Sequence, residues 1–378
     1  MPLGTLAGAG ARAKRRPPYR VETRHGRAAL SALRPEWDAL LARGPVDLPF
    51  LRHRFLEAWL DTFAPQGADL LVLAARDEAG EPVGFAPLLR QRRGGLFQLL
   101  APANDHSCRV EWVLGPDASG AVAALWAHLR DRVPWDVLLL RDLPRDGPTS
   151  ALLEPLARVD GHLTGRWESQ RSPFLNLRAG RPEERLTQKF RANLRRRQRR
   201  LRERGAVALR REDGGGDPEA ALGEFLALEA SGWKGRRGSA LLGDERLVRF
   251  YRAWAAEAAG RGALCIHALT LNGRPVAMNL GLLHRGTYYL PKTAYDEALG
   301  AVSPGQLLFA EVAAECQARG VAEIDFLGPD MEWKRDWAPE HRPHDWLYVY
   351  RPSLAGRALH ALRHRLRPAV KEALRWRG

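Results

Sequence analysis

Cysteine is scarce in this chain, lysine is scarcer than its basicity suggests, and no apolar run reaches the ~20 residues a membrane-crossing helix needs. Cys108, Cys265 and Cys316 lie far apart and form no CxxC pair or Cys/His cluster. That argues against a disulfide framework, a disulfide-linked partner and a structural zinc site, and predicts no metal; buried free thiols in a reducing, cytoplasmic setting are expected. The histidines are scattered and no elbow motif accompanies them, so no Ser/His/Asp or Cys/His triad is legible. Lysine occurs only at positions 14, 189, 234, 292, 334 and 371, so the net charge of +15 is almost entirely arginine. Such a charge points to anionic partners: nucleic acid, anionic lipid or phosphorylated ligands. Alanine, glycine and arginine are abundant together, which weakens the charge as evidence for nucleic acid. The opening MPLGTLAGAGARAKRRPPYR lacks the apolar core of a secretory signal and reads as a loose basic tail.

What is present is a globular composition, 45% hydrophobic and 27% charged over 378 residues, a length that suits two cores better than one. Apolar positions at helical spacing run from Leu33 to Phe63, broken by the Gly/Pro turn Arg43–Pro49. Two apolar runs around Asp77–Pro82 predict a hairpin. Leu96–Leu100, Val110–Leu114 and Val137–Leu140 read as strands, and Ala121–Arg132 as a helix. The second half repeats this order. Its hairpin turns at Asn272-Gly273, followed by a helix at Gly305–Arg319 and a strand at Ile324–Leu327. Loop Gly300–Gly305 stands where Gly115–Gly120 stands in the first half. Between the halves, Glu184–Gly205 has a thin stripe of Leu186, Phe190, Leu194 and Leu201 on an otherwise arginine-covered helix.

The segments expected are a basic flexible tail (1–20), a first lobe (21–178), a basic helical connector (179–211), a second lobe (212–350) and a basic amphipathic C-terminal helix (351–378). In that last helix Leu354, Ala358, Leu362, Leu366, Val370 and Leu374 share one side. The stripe either docks on the second lobe or lies on an anionic membrane surface, which would make the protein peripheral at the inner membrane face.

The stretch Tyr288–Leu308, YYLPKTAYDEALGAVSPGQLL, runs from an aromatic strand through a polar bend into an apolar helix. A strand that stops where a helix begins leaves N–H donors and a helix dipole facing open space, which suits a phosphate or a developing negative charge. This stretch, with Lys189-Phe190-Arg191, Leu194-Arg195-Arg196, Gly232-Trp233-Lys234 and Asp325-Phe326-Leu327-Gly328, resembles the GNAT-like acetyltransferase domain of the CelD type. Glu332-Trp333-Lys334-Arg335-Asp336-Trp337 looks like a segment of the related FemABX peptidoglycan-bridge aminoacyltransferases, which carry two tandem GNAT lobes. The resemblance covers residues 25–350. It implies an α/β fold of two tandem GNAT-like lobes, with mixed, mostly antiparallel sheets flanked by helices. The implied activity is acyl transfer from a carrier to an amine or hydroxyl.

In GNAT enzymes acyl-CoA lies beside a strand end, and a loop of form Gln/Arg-x-x-Gly-x-Gly/Ala wraps the pyrophosphate. Laid on this chain, that loop is Gly300-Ala301-Val302-Ser303-Pro304-Gly305. Gly300 replaces the Arg/Gln, Ser303 a glycine, and Pro304 removes one N–H. Ser303 is expected to cap the helix, Gly305 and Gln306 to present N–H groups, and Lys292 to supply a charge for phosphate or oxyanion. The implied donor is acetyl-CoA or another acyl-CoA.

Acyl transfer also needs a base and a stabiliser of the carbonyl oxygen. Lys334 matches the lysine of the FemABX segment and is the candidate stabiliser; otherwise it pairs with Asp330 or Asp336. Asp325 is either a partly buried base or an acceptor for the loop Gly328–Met331. Asp296 and Tyr295 stand where a base and an acid for a leaving thiolate belong, with lobe packing the other reading for Tyr295. Trp233 and Lys234 are candidate walls of the acceptor pocket, and Asn104, Asp105 and His106 candidate contacts from the first lobe. The acceptor expected is a small molecule or a glycan- or lipid-linked group. Two other functions are open: an aminoacyl-tRNA-dependent transferase acting on a cell-wall precursor, and a non-catalytic nucleic-acid- or membrane-binding protein. The arginine helix offers phosphate contacts but little stacking, since Phe190 is its only aromatic residue.

Overall fold

Turn chemistry sets the first pairings. Asn272 and Gly273 both adopt left-handed backbone (φ 52° and 80°), the geometry of a tight two-residue hairpin turn, and join β9 (Leu264–Leu271) to β10 (Arg274–His284). In the first half Gly80 (φ 87°) closes the turn between β2 (Asp69–Arg76) and β3 (Pro82–Arg93). The computed structural model describes residues 19–213, 215–338 and 340–366, without the side chains of Trp233 and Lys234.

The remaining strands are β1 (Arg20–His25), β4 (Leu96–Leu100), β5 (Val113–Leu114), β6 (Val137–Pro144), β7 (Leu163–Asn176), β8 (Val207–Glu212), β11 (Thr287–Tyr295), β12 (Glu323–Asp325) and β13 (Glu340–Tyr350). They form one 13-stranded mixed sheet in the order β1-β2-β3-β4-β6-β13-β7-β12-β11-β10-β9-β8, with β5 paired to β3. Among the described residues the β4/β6 and β11/β12 pairs are parallel and the others antiparallel.

From either end inward the sheet presents the same succession of strands, except that the last strand of each lobe has changed places. β13 lies beside β6 of the first lobe, and β7 beside β12 of the second. The two exchanged strands pair with each other from Glu340↔Phe174 to Tyr350↔Leu163. The expected two lobes therefore share one sheet rather than having two, because the long strands β7 and β13, absent from the sequence reading, bridge them. Two further differences concern the joints. Residues 207–211, expected in a helical connector, belong to β8, and only Gln188–Arg202 of that connector forms a long helix. Arg20 opens β1, so ordered structure begins inside the expected tail; the rest of that tail, residues 1–18, lies outside the described residues.

One face of the sheet carries a core common to both lobes. Helix His53–Phe63 of the first packs against helix Glu245–Gly260 of the second, with Phe55–Phe250 and Phe63–Phe250 ring centroids 5.6 and 5.2 Å apart. The opposite face has two separate cores, one beneath helix Ala118–Arg132 and one beneath helix Pro304–Ala318. The C-terminal helix Leu354–Ala361 and the turn Leu362–Leu366 dock on β7 and β13, but not through the expected apolar stripe. Contact is made by histidines: His364 meets the Tyr350 hydroxyl at 2.9 Å and His360 the Thr164 carbonyl at 3.2 Å. Leu354, Leu362 and Leu366 stay exposed; the part of the stripe from residue 367 onward lies outside the described residues.

Candidate active site

A bulge in β11 opens the sheet. Leu280 faces Lys292 and Leu282 faces Tyr289, so two steps along β10 match three along β11. Gly281 sits at the irregularity because a Cβ there would lie 2.2 Å from the Tyr288 hydroxyl. On its other edge β11 pairs with β12 only as far as Tyr289↔Asp325. β12 ends there, and beyond that point a cavity of about 280 Å³ lies against β11. Its walls are Leu290, Thr293 and Tyr295 from β11, Asn279 from β10, and Gly305, Gln306 and Phe309 from the helix that follows. Trp333 closes another side, and Gly300 and Ser303 of the expected donor loop also line it.

The loop differs in detail from the expectation. Ser303 adopts φ 46°, which turns its hydroxyl back to the Gly300 carbonyl at 3.4 Å instead of capping the helix. The Ser303 carbonyl takes the N–H groups of Gln306 (3.0 Å) and Leu307 (3.3 Å). Gln306 therefore offers its side chain, not its N–H. Its Oε1 accepts from Trp337 Nε1 at 2.5 Å and its Nε2 donates to the Trp333 carbonyl at 3.4 Å, tying the helix to the Trp333–Trp337 segment. The Gly305 N–H finds no acceptor among the described residues and stands at the cavity wall. The equivalent helix in the first lobe is closed. Asp117 accepts from the Gly120 N–H at 3.0 Å and from the Tyr19 hydroxyl at 2.7 Å. A carboxylate at that position repels a phosphate, so of the two helix starts only the second is open to an anion.

Lys334 and Asp325 do structural work. The buried Lys334 ammonium donates to the carbonyls of Leu327 at 2.7 Å and Pro329 at 3.0 Å, with Phe326 at 3.5 Å. Left-handed backbone at Leu327 and Gly328 turns these carbonyls onto one point. Burial pushes the lysine down to about 8. Its protons are engaged by the loop, and neither Asp330 nor Asp336 is its hydrogen-bonded partner; Asp330 pairs with Arg335 at 2.9 Å. Asp325 is buried with both oxygens on Arg109 Nη2 (2.6 and 2.7 Å), and it accepts the Leu327 N–H at 2.9 Å. Arg109 also donates to Ser172 at 2.8 Å. A carboxylate so occupied is an inter-lobe pin and is poorly placed to take a proton. Asp296 caps the turn Glu297–Val302 through the Ala298 N–H at 3.0 Å. Tyr295, 41% exposed, lines the cavity.

Lys292 is on the other side of β11. The bulge shifts the alternation, so Thr293 lines the cavity while Lys292 Nζ lies 5.8 Å from the Tyr251 ring. There it meets the first-lobe cluster. His106 Nδ1 and the Tyr251 hydroxyl are 2.9 Å apart, and Phe63 stacks on the imidazole at 5.1 Å. Asn104 Oδ1 accepts from Trp59 Nε1 (3.0 Å) and from the His106 N–H (2.9 Å), which fixes the loop; Asp105 is exposed beside it. Burial, helped by the Lys292 charge, pushes His106 down to about 4, so the ring is neutral at pH 7. The structure thus joins Lys292 to Asn104 and His106 and separates it from Ser303 and Gly305. Sequence reasoning missed Arg109, Tyr251 and Asn279. Arg109 follows the Asn104–His106 cluster closely, but its partner is 216 residues away. The side chains of Trp233 and Lys234 lie outside the described residues.

Residues 188–335 match the family model described as acetyltransferase (GNAT) domain. Solved structures with the same fold extend the likeness to both lobes. FemX aligns at TM-score 0.58 and 14% identity, over 90% of this chain and 99% of that one. A conserved protein of unknown function from Bacteroides thetaiotaomicron aligns at 0.53 and 16% (85% and 97%). The C-terminal domain of a putative lysylphosphatidylglycerol synthetase from Agrobacterium fabrum aligns at 0.52 and 11% (87% and 94%). No curated protein sequence matches.

Proposed function

We propose that the protein transfers an acyl group from acyl-CoA, acetyl-CoA in the first instance, to an amine or hydroxyl of a polar acceptor. The CelD-type resemblance favours an envelope- or polysaccharide-related acceptor. The observation that carries this reading is the cavity between β11 and the start of helix Pro304–Ala318, with the open Gly305 N–H at its wall. Bound acyl-CoA supplies a thioester carbonyl for the acceptor to attack. The Gly305 N–H and the positive end of helix Pro304–Ala318 favour an anionic carrier. Tyr295, in the cavity wall, is the proton donor for the departing thiolate. Across β11, His106 is a contact for the acceptor and Lys292 holds a negatively charged part of it.

A second reading, an aminoacyl-tRNA donor, has one observation in its favour. Helix Gln188–Arg202 packs beside the turn Glu297–Val302 and exposes Arg195, Arg200 and Arg202. Thermal melting separates the two. A donor that binds the native state raises Tm by linkage, so saturating CoA or acetyl-CoA is expected to shift Tm upward. No shift with any CoA compound alongside a shift with charged tRNA would replace the first reading by the second.

A further inference from the structure

We propose that the cavity accepts an acyl group bearing its own hydrogen-bonding substituent, a hydroxyl or an amine, and that Asn279 recognises it. The inference rests on the acyl-transfer reading above and adds the class of group transferred.

Asn279 is 2% exposed, and its Nδ2 is buried without a partner among the described residues. The side chain lines the 280 Å³ cavity, with Thr293 opposite it in the β10/β11 register. Much of the surrounding wall is apolar, including Leu290, Phe309 and Trp333. A buried amide left without a partner is unfavourable, and native structures seldom keep one unless something met in function satisfies it. A wall meant for a plain hydrocarbon acyl group is better served by leucine or alanine at this position. An amide both donates and accepts, so hydroxyl and amine substituents suit it equally. Selectivity of this kind is strong because a polar site rejects an analogue that leaves its buried group unpaired.

The test is isothermal titration of wild type and Asn279→Leu with CoA, butyryl-CoA, 3-hydroxybutyryl-CoA and 3-aminobutyryl-CoA. Wild type is expected to bind at least one of the substituted compounds about fivefold or more tightly than butyryl-CoA. In Asn279→Leu that preference disappears while affinity for CoA itself is unchanged. If the substitution weakens CoA itself, the amide serves the carrier arm and the proposal is overturned. If wild type makes no distinction among the acyl compounds while binding CoA, the proposal fails and acyl transfer stands. If no CoA compound binds wild type, both fall. Should Asn279→Leu fail to fold, the wild-type preference decides alone.

Discussion

At the scale of single residues, the sequence placed functional weight on charged groups whose roles depend on what they meet. Asp325 and Lys334 are both buried and each is held by neighbours: one by Arg109, the other by loop carbonyls. Removing one member of a buried ion pair leaves an uncompensated charge, and Arg109 and Asp325 are both 4% exposed in their side chains. Arg109→Ala is therefore expected to lower stability by about 3–5 kcal/mol. The double variant Arg109→Met/Asp325→Leu should recover much of that loss. Chemical denaturation of the three proteins measures it, and an Arg109→Ala midpoint equal to wild type would show that the pair does not hold the lobes.

At the scale of elements, two helices that occupy equivalent places in the two lobes have opposite electrostatics at their starts. Asp117 fills the first, while Gly305 leaves the second open. Gly305→Asp brings a carboxylate to the second helix as Asp117 does to the first. A Cβ at position 305 would meet nothing closer than the Tyr295 ring at 3.8 Å, so the variant should fold. Its affinity for CoA is expected to fall about tenfold or more, with little change in Tm without ligand. High salt should narrow the difference; unchanged affinity would remove this helix from the donor site.

At the scale of the whole molecule, the exchange of β7 and β13 makes each lobe depend on the other. β12 has only three residues and is held between β11 and β7, and the core on one face contains aromatic residues of both lobes. A fragment of residues 179–378 would lack β7 and expose the face of helix Glu245–Gly260 that covers Phe55 and Phe63. It is expected to be aggregated or unfolded by size exclusion and circular dichroism, and to recover native behaviour when coexpressed with 1–178. A monomeric, cooperatively melting fragment would contradict this dependence.

Much of the local structure was legible because its causes are local. Turn residues at Asp77–Pro82 and Asn272-Gly273, apolar periodicity, and the Ser-Pro-Gly entry to a helix fix their own neighbourhoods whatever surrounds them. The repeat of hairpin, strand, loop, helix and strand was visible for the same reason. Three things could not be read that way. The strand exchange joins segments more than 150 residues apart, as in Phe174↔Glu340. The facing of Lys292 turns on a bulge that reverses alternation beyond it, and a single residue's slip in register leaves no mark in composition. The partners of Asp325 and Asn279 depend on which side chains the folded sheet brings near. Sequence by itself determined the elements and the kinds of chemistry available. Tertiary structure decided which charges are spent on holding the lobes and which groups face the cavity, because ion pairing and burial depend on distances that the linear chain does not contain.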